Sequence, residues 1–145
     1  MNKINLKELT LKDYPYKTFD KIRYCDTDRQ GHVNNAIFST FLETGRVEIL
    51  YNPDNPLASP VGSFVIAKIN LDLISEIRWP GTVNIGTGIV KIGSSSIQII
   101  QGVFQDEKLA ATAETVIVQI DEKEGGSKPL NSATKSILNQ YLFKK

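Results

Sequence analysis

The sequence predicts an α+β fold, one antiparallel sheet curled around a single long apolar helix. Apolar side chains recur at helical spacing between residues 36 and 50, then in strand-like runs from residue 65 to 121. Short polar turns at Gly93-Ser94-Ser95 and Asp106-Glu107-Lys108 divide the later runs at lengths that suit antiparallel hairpins. One sheet must then cover one apolar helix. At 145 residues the chain suits a single domain, residues 1–145, that buries about two-thirds of its unfolded surface. Such a core needs no disulfide or metal to fold.

Residues 1–15 are polar and mixed and end in Tyr14-Pro15, which reads as a loose arm. Tyr16, Thr18, Phe19, Ile22 and Tyr24 suggest a first strand over 16–24. Asp26 to Gly31 carries turn chemistry, and Asn34 or Asn35 suits the cap of a following helix. That helix is expected from Ala36 to Leu50, with Phe38, Phe41, Leu42, Gly45 and Ile49 forming one stripe. Ile37, Val47 and Leu50 widen the apolar surface, so the helix should be covered on most sides. Gly45 costs about 1 kcal/mol against Ala in a helix interior, which points to close backbone packing. Glu43 and Arg46 are spaced for an i,i+3 ion pair on the polar side.

Tyr51-Asn52-Pro53, Asn55-Pro56 and Ser59-Pro60 end the helix and make an exposed connection. Val65, Ala67, Ile69, Leu71 and Leu73 alternate with Lys68, Asn70 and Asp72, a long strand with one buried face. Trp79-Pro80-Gly81 turns the chain, and strands are expected over 82–92, 96–105 and 109–121. Residues 122–127 form a polar loop. A last helix is expected from Asn131-Ser132, with Ile137, Leu138, Tyr141 and Leu142 on one face. A small sheet of long strands leaves edges, which a homodimer would pair.

Composition narrows the function. Seventeen Lys and Arg against sixteen Asp and Glu leave no basic field, so nucleic acid is not an expected partner. No apolar run approaches the roughly 18 residues of a membrane span. The first residues lack the apolar core of a signal peptide, and the single Cys makes no internal bridge. The expectation is a soluble cytoplasmic protein.

Chemistry concentrates in one stretch, Asp26-Thr27-Asp28-Arg29-Gln30-Gly31-His32-Val33-Asn34-Asn35. It holds the only His, follows the only Cys, and places two carboxylates two residues apart before a helix start. It resembles the D-x-D-x-x-G-H-V-N-N signature of hotdog-fold thioesterases, in the 4-hydroxybenzoyl-CoA and acyl-CoA thioesterase family. The resemblance extends over nearly the whole chain and includes Ile92-Gly93-Ser94-Ser95-Ser96. It implies an obligate dimer, with a dimer of dimers as the larger form, that hydrolyses acyl-CoA to acid and CoA at the subunit interface with no metal or cofactor. It places the catalytic carboxylate at Asp28 and the oxyanion donor at the N–H of Asn35.

The residues make this chemistry plausible. A thiolate leaves readily, since thiol pKa values lie near 8.5, so no strong general acid is needed. Asp28 can attack the carbonyl or deprotonate a water, and the sequence does not choose. The helix start near Asn35 offers unpaired N–H groups and a positive dipole end. Gly31 lets the backbone approach the thioester. Asn34 and Asn35 are also good caps, and His32 serves as a scaffold group that can line the pocket. Asp26 is expected to orient the loop, and Cys25 to pack as a small buried residue.

Some members of the family it resembles grip the CoA phosphates with basic residues at the hairpin that corresponds to Gly93-Ser94-Ser95. Here Lys91 is the nearby cation, with Ser94 and Ser95 offering N–H groups and hydroxyls. That change leaves room for an acyl carrier protein as the thioester donor. A hotdog dehydratase and non-catalytic acyl-CoA binding are the remaining readings.

Overall fold

A computed structural model describes residues 4–144 of the chain. Seven elements follow in order: β1 Tyr16–Lys21, α1 Asn35–Leu50, β2 Gly62–Leu73, β3 Thr82–Ile92, β4 Ser96–Gln105, β5 Lys108–Asp121 and α2 Ser132–Asn139. The strands form one antiparallel sheet in the order β1-β3-β4-β5-β2. Helix α1 lies across its concave face, against β3, β1 and β4. This is the hotdog architecture.

The hairpins set the middle of the sheet. At 106 and 107 the turn requires left-handed backbone, with φ of 52° at Asp106 and 67° at Glu107. Helix α1 begins where expected because Asn34 caps it, its Oδ1 accepting from the Ala36 N–H at 3.0 Å. Its stripe packs onto the sheet, with Phe41 and Leu42 1% and 0% exposed. Burying a side chain of this size is worth about 1.5–3 kcal/mol. The Gly45 backbone fits against Thr87, Gln101 and Ile85, leaving no space for a β-carbon.

Six details differ from expectation. Of the arm at 1–15, residues 1–3 lie outside the described part, and the rest is packed rather than loose. Two single 3₁₀ turns, Leu6–Glu8 and Leu11–Asp13, lead to Tyr14, which is 1% exposed. Its ring rests on Gly86 and meets Phe104 and Phe143 edge-on or tilted. Glycines on the outer face of β3 and β4 leave the hollow that receives it.

The first strand ends at Lys21, since Tyr24–Asp26 closes a 3₁₀ turn that starts the motif loop. Cys25, on that turn, is exposed rather than buried. Arg46 does not pair with Glu43 at the surface. It turns inward, 5% exposed, and donates to Gln101 Oε1 at 3.3 Å. Burial lowers its pKa, and the charge of Glu43 partly opposes that shift.

Strand β2 departs most. A bulge at Ala67, between the pairs Ile66↔Ile117 and Lys68↔Val116, resets its alternation. The helix-facing residues are therefore Phe64 and Ile66 before the bulge, and Ile69, Leu71 and Leu73 after it. Because β2 is an edge and α1 packs over the opposite half of this face, on β1, β3 and β4, much of the row is not buried. Ile66, Ile69 and Leu73 are 49%, 41% and 47% exposed.

At the C-terminal end α2 stops at Asn139, Gln140 and Tyr141 form a turn, and Leu142 bridges Ile89 in parallel. Ile89 N–H donates to the Tyr141 carbonyl and Phe143 N–H to the Ile89 carbonyl, both at 2.8 Å. The C-terminal residues thus continue the place of β1 beside β3.

Candidate functional site

The motif loop is built from two carboxylates with different jobs. Asp26 is 1% exposed and turns back on its own 3₁₀ turn. Its Oδ2 accepts the Arg23 backbone N–H, and its Oδ1 accepts Arg23 Nη2, both at 2.9 Å. That carboxylate and its hydrogen bonds raise the Arg23 pKa. Asp26 also presents its backbone carbonyl to the Asn34 N–H at 2.8 Å, fixing where α1 begins.

Asp28 is exposed and faces outward. Its loop closes through Asp28 N–H to the His32 carbonyl at 2.7 Å and Gly31 N–H to the Asp28 carbonyl at 3.1 Å. Gly31, at φ of 81°, takes the left-handed conformation this closure requires. Asp28 Oδ1 accepts the N–H groups of Gln30 at 2.8 Å and His32 at 3.2 Å. Its Oδ2 has no partner among the described residues. One oxygen holds the side chain in place, and the other faces solvent.

The first turn of α1 supplies the complementary group. Asn34 Oδ1 takes the Ala36 N–H, and the Asn34 carbonyl takes the Ile37 N–H at 2.9 Å. The N–H of Asn35 meets no acceptor among the described residues, so it is the unpaired donor at the positive end of the helix.

Both groups border one groove of about 400 Å³. Asp28, Gln30, His32 and Asn35 line it from the motif side, with Val33 and Phe38 behind them. Leu73, Ile74, Ser75 and Glu76 close the far side. Sequence reasoning missed this second wall, which becomes visible only when the end of β2 comes beside the motif. The contact is direct: Val33 N–H donates to the Ile77 carbonyl at 2.8 Å, and His32 Nε2 lies 2.7 Å from Glu76 Oε2.

Asp28, His32 and Asn35 are therefore brought together, while Asn34 caps the helix beside them and Gly31 shapes the loop. Lys91, Ser94 and Ser95 are not brought to the groove. Strand β1 pairs so that Lys21, just before the motif, lies opposite Thr82 at the start of β3. The hairpin follows Ile92 at the other end, on the order of 30 Å away at a strand rise of about 3.3 Å per residue. There, the Ser94 and Ser95 carbonyls accept from Leu130 and Gln119. Among the described residues, no three of His, Cys, Asp and Glu are grouped to hold a metal ion, and no helix is long and apolar enough to cross a membrane.

Comparisons with known proteins bear on this geometry. A family model described as the thioesterase-like superfamily matches residues 22–138. The structure of a predicted thioesterase from Bacillus stearothermophilus is 26% identical, with a TM-score of 0.81 over 90% of this chain and 98% of that one. A Thermus thermophilus thioesterase complexed with coenzyme A and Zn is 25% identical, with a TM-score of 0.77 over 92% and 98%. A DHNA-CoA thioesterase from Staphylococcus aureus, 19% identical, shares the fold at a TM-score of 0.75 over 86% and 87%. No curated protein sequence matches the chain.

Proposed function

Because the chain belongs to the thioesterase-like superfamily, we propose that it hydrolyses acyl-CoA thioesters to the free acid and CoA. The observation that carries this reading is the pairing on one groove of a carboxylate oxygen without a partner, Asp28 Oδ2, and a backbone donor without an acceptor, Asn35 N–H. The thioester carbonyl oxygen points at that N–H. Asp28 attacks the carbonyl carbon, or takes a proton from the water that does, and negative charge gathers on the oxygen beside the helix start. A donor so aimed is worth about 3 kcal/mol in comparable sites. The thiolate of CoA then leaves, and where Asp28 has attacked directly, water hydrolyses the resulting mixed anhydride to the free acid and restores the carboxylate. The apolar wall of Val33, Phe38, Leu73 and Ile74 receives the acyl group.

The active form in this reading is a homodimer joined along β2. The half-exposed row Ile66, Ile69 and Leu73 on an unpaired edge supports it. Antiparallel pairing of β2 with a second copy sets the Gly62 end of one strand beside the Leu73 end of the other. Within each protomer the 93–95 hairpin lies at the Gly62 end, since Phe64 pairs with Gln119, whose N–H donates to the Ser95 carbonyl. The hairpin of the second copy, with Lys91, Ser94 and Ser95, thereby comes to the Asp28 end of this one and serves the CoA phosphates. Because serines stand at its corner and Lys91 is the cation nearest it along the chain, an acyl carrier protein is the alternative donor.

The test is thiol release from acyl-CoAs running from acetyl to palmitoyl, with benzoyl and phenylacetyl, for the wild type and Asp28→Asn. Turnover on part of the panel is expected, with kcat lowered at least about 100-fold in the folded variant. Activity confined to acyl carrier protein thioesters would change the donor. Tight acyl-CoA binding without turnover on either donor would leave a binding protein. An Asp28→Asn variant as fast as the wild type would overturn the mechanism.

A further inference from the structure

We infer that Glu76 is a positioning residue for Asp28, acting through His32; this rests on the hydrolase reading above. The segment that carries Glu76 is anchored to the sheet. Ile74 and Ser75 N–H groups both donate to the Ala110 carbonyl, at 2.8 and 3.1 Å, and Ser75 Oγ donates to the Leu109 carbonyl at 2.7 Å. Two residues further on, Arg78 exchanges hydrogen bonds with the Gln105 side chain at 3.0 and 2.7 Å. The 28–32 loop closes on itself through Asp28 and Gly31 and reaches that platform by a backbone bridge at its end, His32 to Arg78. Among the described residues its one side-chain tie to that platform is His32 Nε2 to Glu76 Oε2 at 2.7 Å.

The two carboxylates on this groove are placed for different roles. Both oxygens of Glu76 are engaged, Oε2 by His32 and Oε1 by Arg78 Nη2 and Nε at 3.1 and 3.3 Å. Asp28 keeps one oxygen without a partner. Glu76 is thus held and neutralised, whereas Asp28 is presented. The link between them is short. Glu76 fixes the His32 ring in the form that carries hydrogen on Nε2, and the His32 backbone N–H donates to Asp28 Oδ1 at 3.2 Å. Freeing the ring loosens the loop, and the attacking oxygen loses its aim at the carbonyl carbon whose oxygen faces the Asn35 N–H. Small misplacements of this kind cost heavily in rate.

The test combines kinetics on the best acyl-CoA with NMR of the ring, which is unambiguous because His32 is the only histidine. Glu76→Ala is expected to lower kcat about 10-fold with KM changed less than about 2-fold. Glu76→Gln, which keeps an oxygen for Nε2–H, should stay within about 3-fold of wild type. In a His32→Ala background, adding Glu76→Ala should cost less than about 2-fold more, because the two act as a unit. The hydrogen-bonded Nε2–H resonance should be seen in wild type and vanish in Glu76→Ala. Losses that multiply in the double variant, a loss carried by KM, or an unchanged kcat in Glu76→Ala would each overturn the inference. A wild type without turnover on any thioester sinks the hydrolase reading instead. The ring resonance then decides alone, and its survival in Glu76→Ala would overturn the tie.

Discussion

Gly45 and Gln101 touch so closely that a β-carbon added to Gly45 would stand 2.8 Å from the Gln101 amide nitrogen and 2.7 Å from Thr87 Oγ1. The Gln101 side chain has little freedom to retreat. Its Nε2 donates to the Leu42 carbonyl at 2.9 Å and to Thr87 Oγ1 at 3.0 Å, and its Oε1 accepts from Arg46.

Gly45→Ala therefore sets two effects against each other. Helix propensity gains about 1 kcal/mol, and overpacking a dense core costs about 1–3 kcal/mol. Because the clash also breaks hydrogen bonds of a buried amide, the net is expected to be destabilising by about 1–2 kcal/mol. Urea denaturation measures it, and a variant more stable than wild type would show that Gln101 yields.

Tyr14 makes a prediction with two signs. Its ring fills the hollow over Gly86, while its hydroxyl is buried with no partner among the described residues. Burial first, and the Asp13 charge second, raise the phenol's pKa, so it stays protonated in the fold. Tyr14→Ala is expected to cost about 3–5 kcal/mol through the cavity it leaves. Tyr14→Phe keeps the ring and removes the unpaired group, so its Tm should equal or exceed that of the wild type. A Phe variant as unstable as the Ala variant would contradict this account.

Alkaline stability should report on Tyr16. Burial pushes its phenol up to about 12, helped by the hydrogen bond to Glu48 and by that carboxylate's charge. The hydroxyl donates to Glu48 Oε1 at 2.6 Å. The folded pKa lies above the unfolded value of about 10, so the folded state holds the proton more tightly. The contribution is fully present below pH 10 and is lost as pH rises toward 12. Tyr16→Phe should accordingly show a shallower fall in stability over that window than wild type. Parallel curves would mean that the hydrogen bond adds nothing.

The proposed reaction runs on a carboxylate and a backbone N–H and asks nothing of a metal. Dialysis against EDTA is expected to leave kcat on the best thioester unchanged, as measured by thiol release. A loss restored by adding zinc would require a different chemistry at Asp28.

Much of this was legible in the sequence because it depends on near neighbours. The stripe from Phe38 to Ile49, the turns at 93–95 and 106–108, and the Asn34 cap all follow from periodicity and local hydrogen bonding. Asp28, Gly31, His32 and Asn35 fall within eight residues, so their meeting at one groove needs little beyond the loop itself.

Other features rest on contacts that no local pattern encodes. The bulge at Ala67 reverses which side chains in the first half of β2 face the helix, because register is set by β5 some fifty residues later. Tyr14 is buried because two glycines on other strands make room for it. Arg46 points inward because Gln101 lies beneath it, and Glu76 meets His32 because β2 ends beside the motif. The chain by itself determined the elements and the residues of the motif, since hydrophobic period and turn chemistry act over a few residues. Tertiary structure alone decided which wall faces Asp28 and which strand edge stays open, since packing joins residues that are distant along the chain.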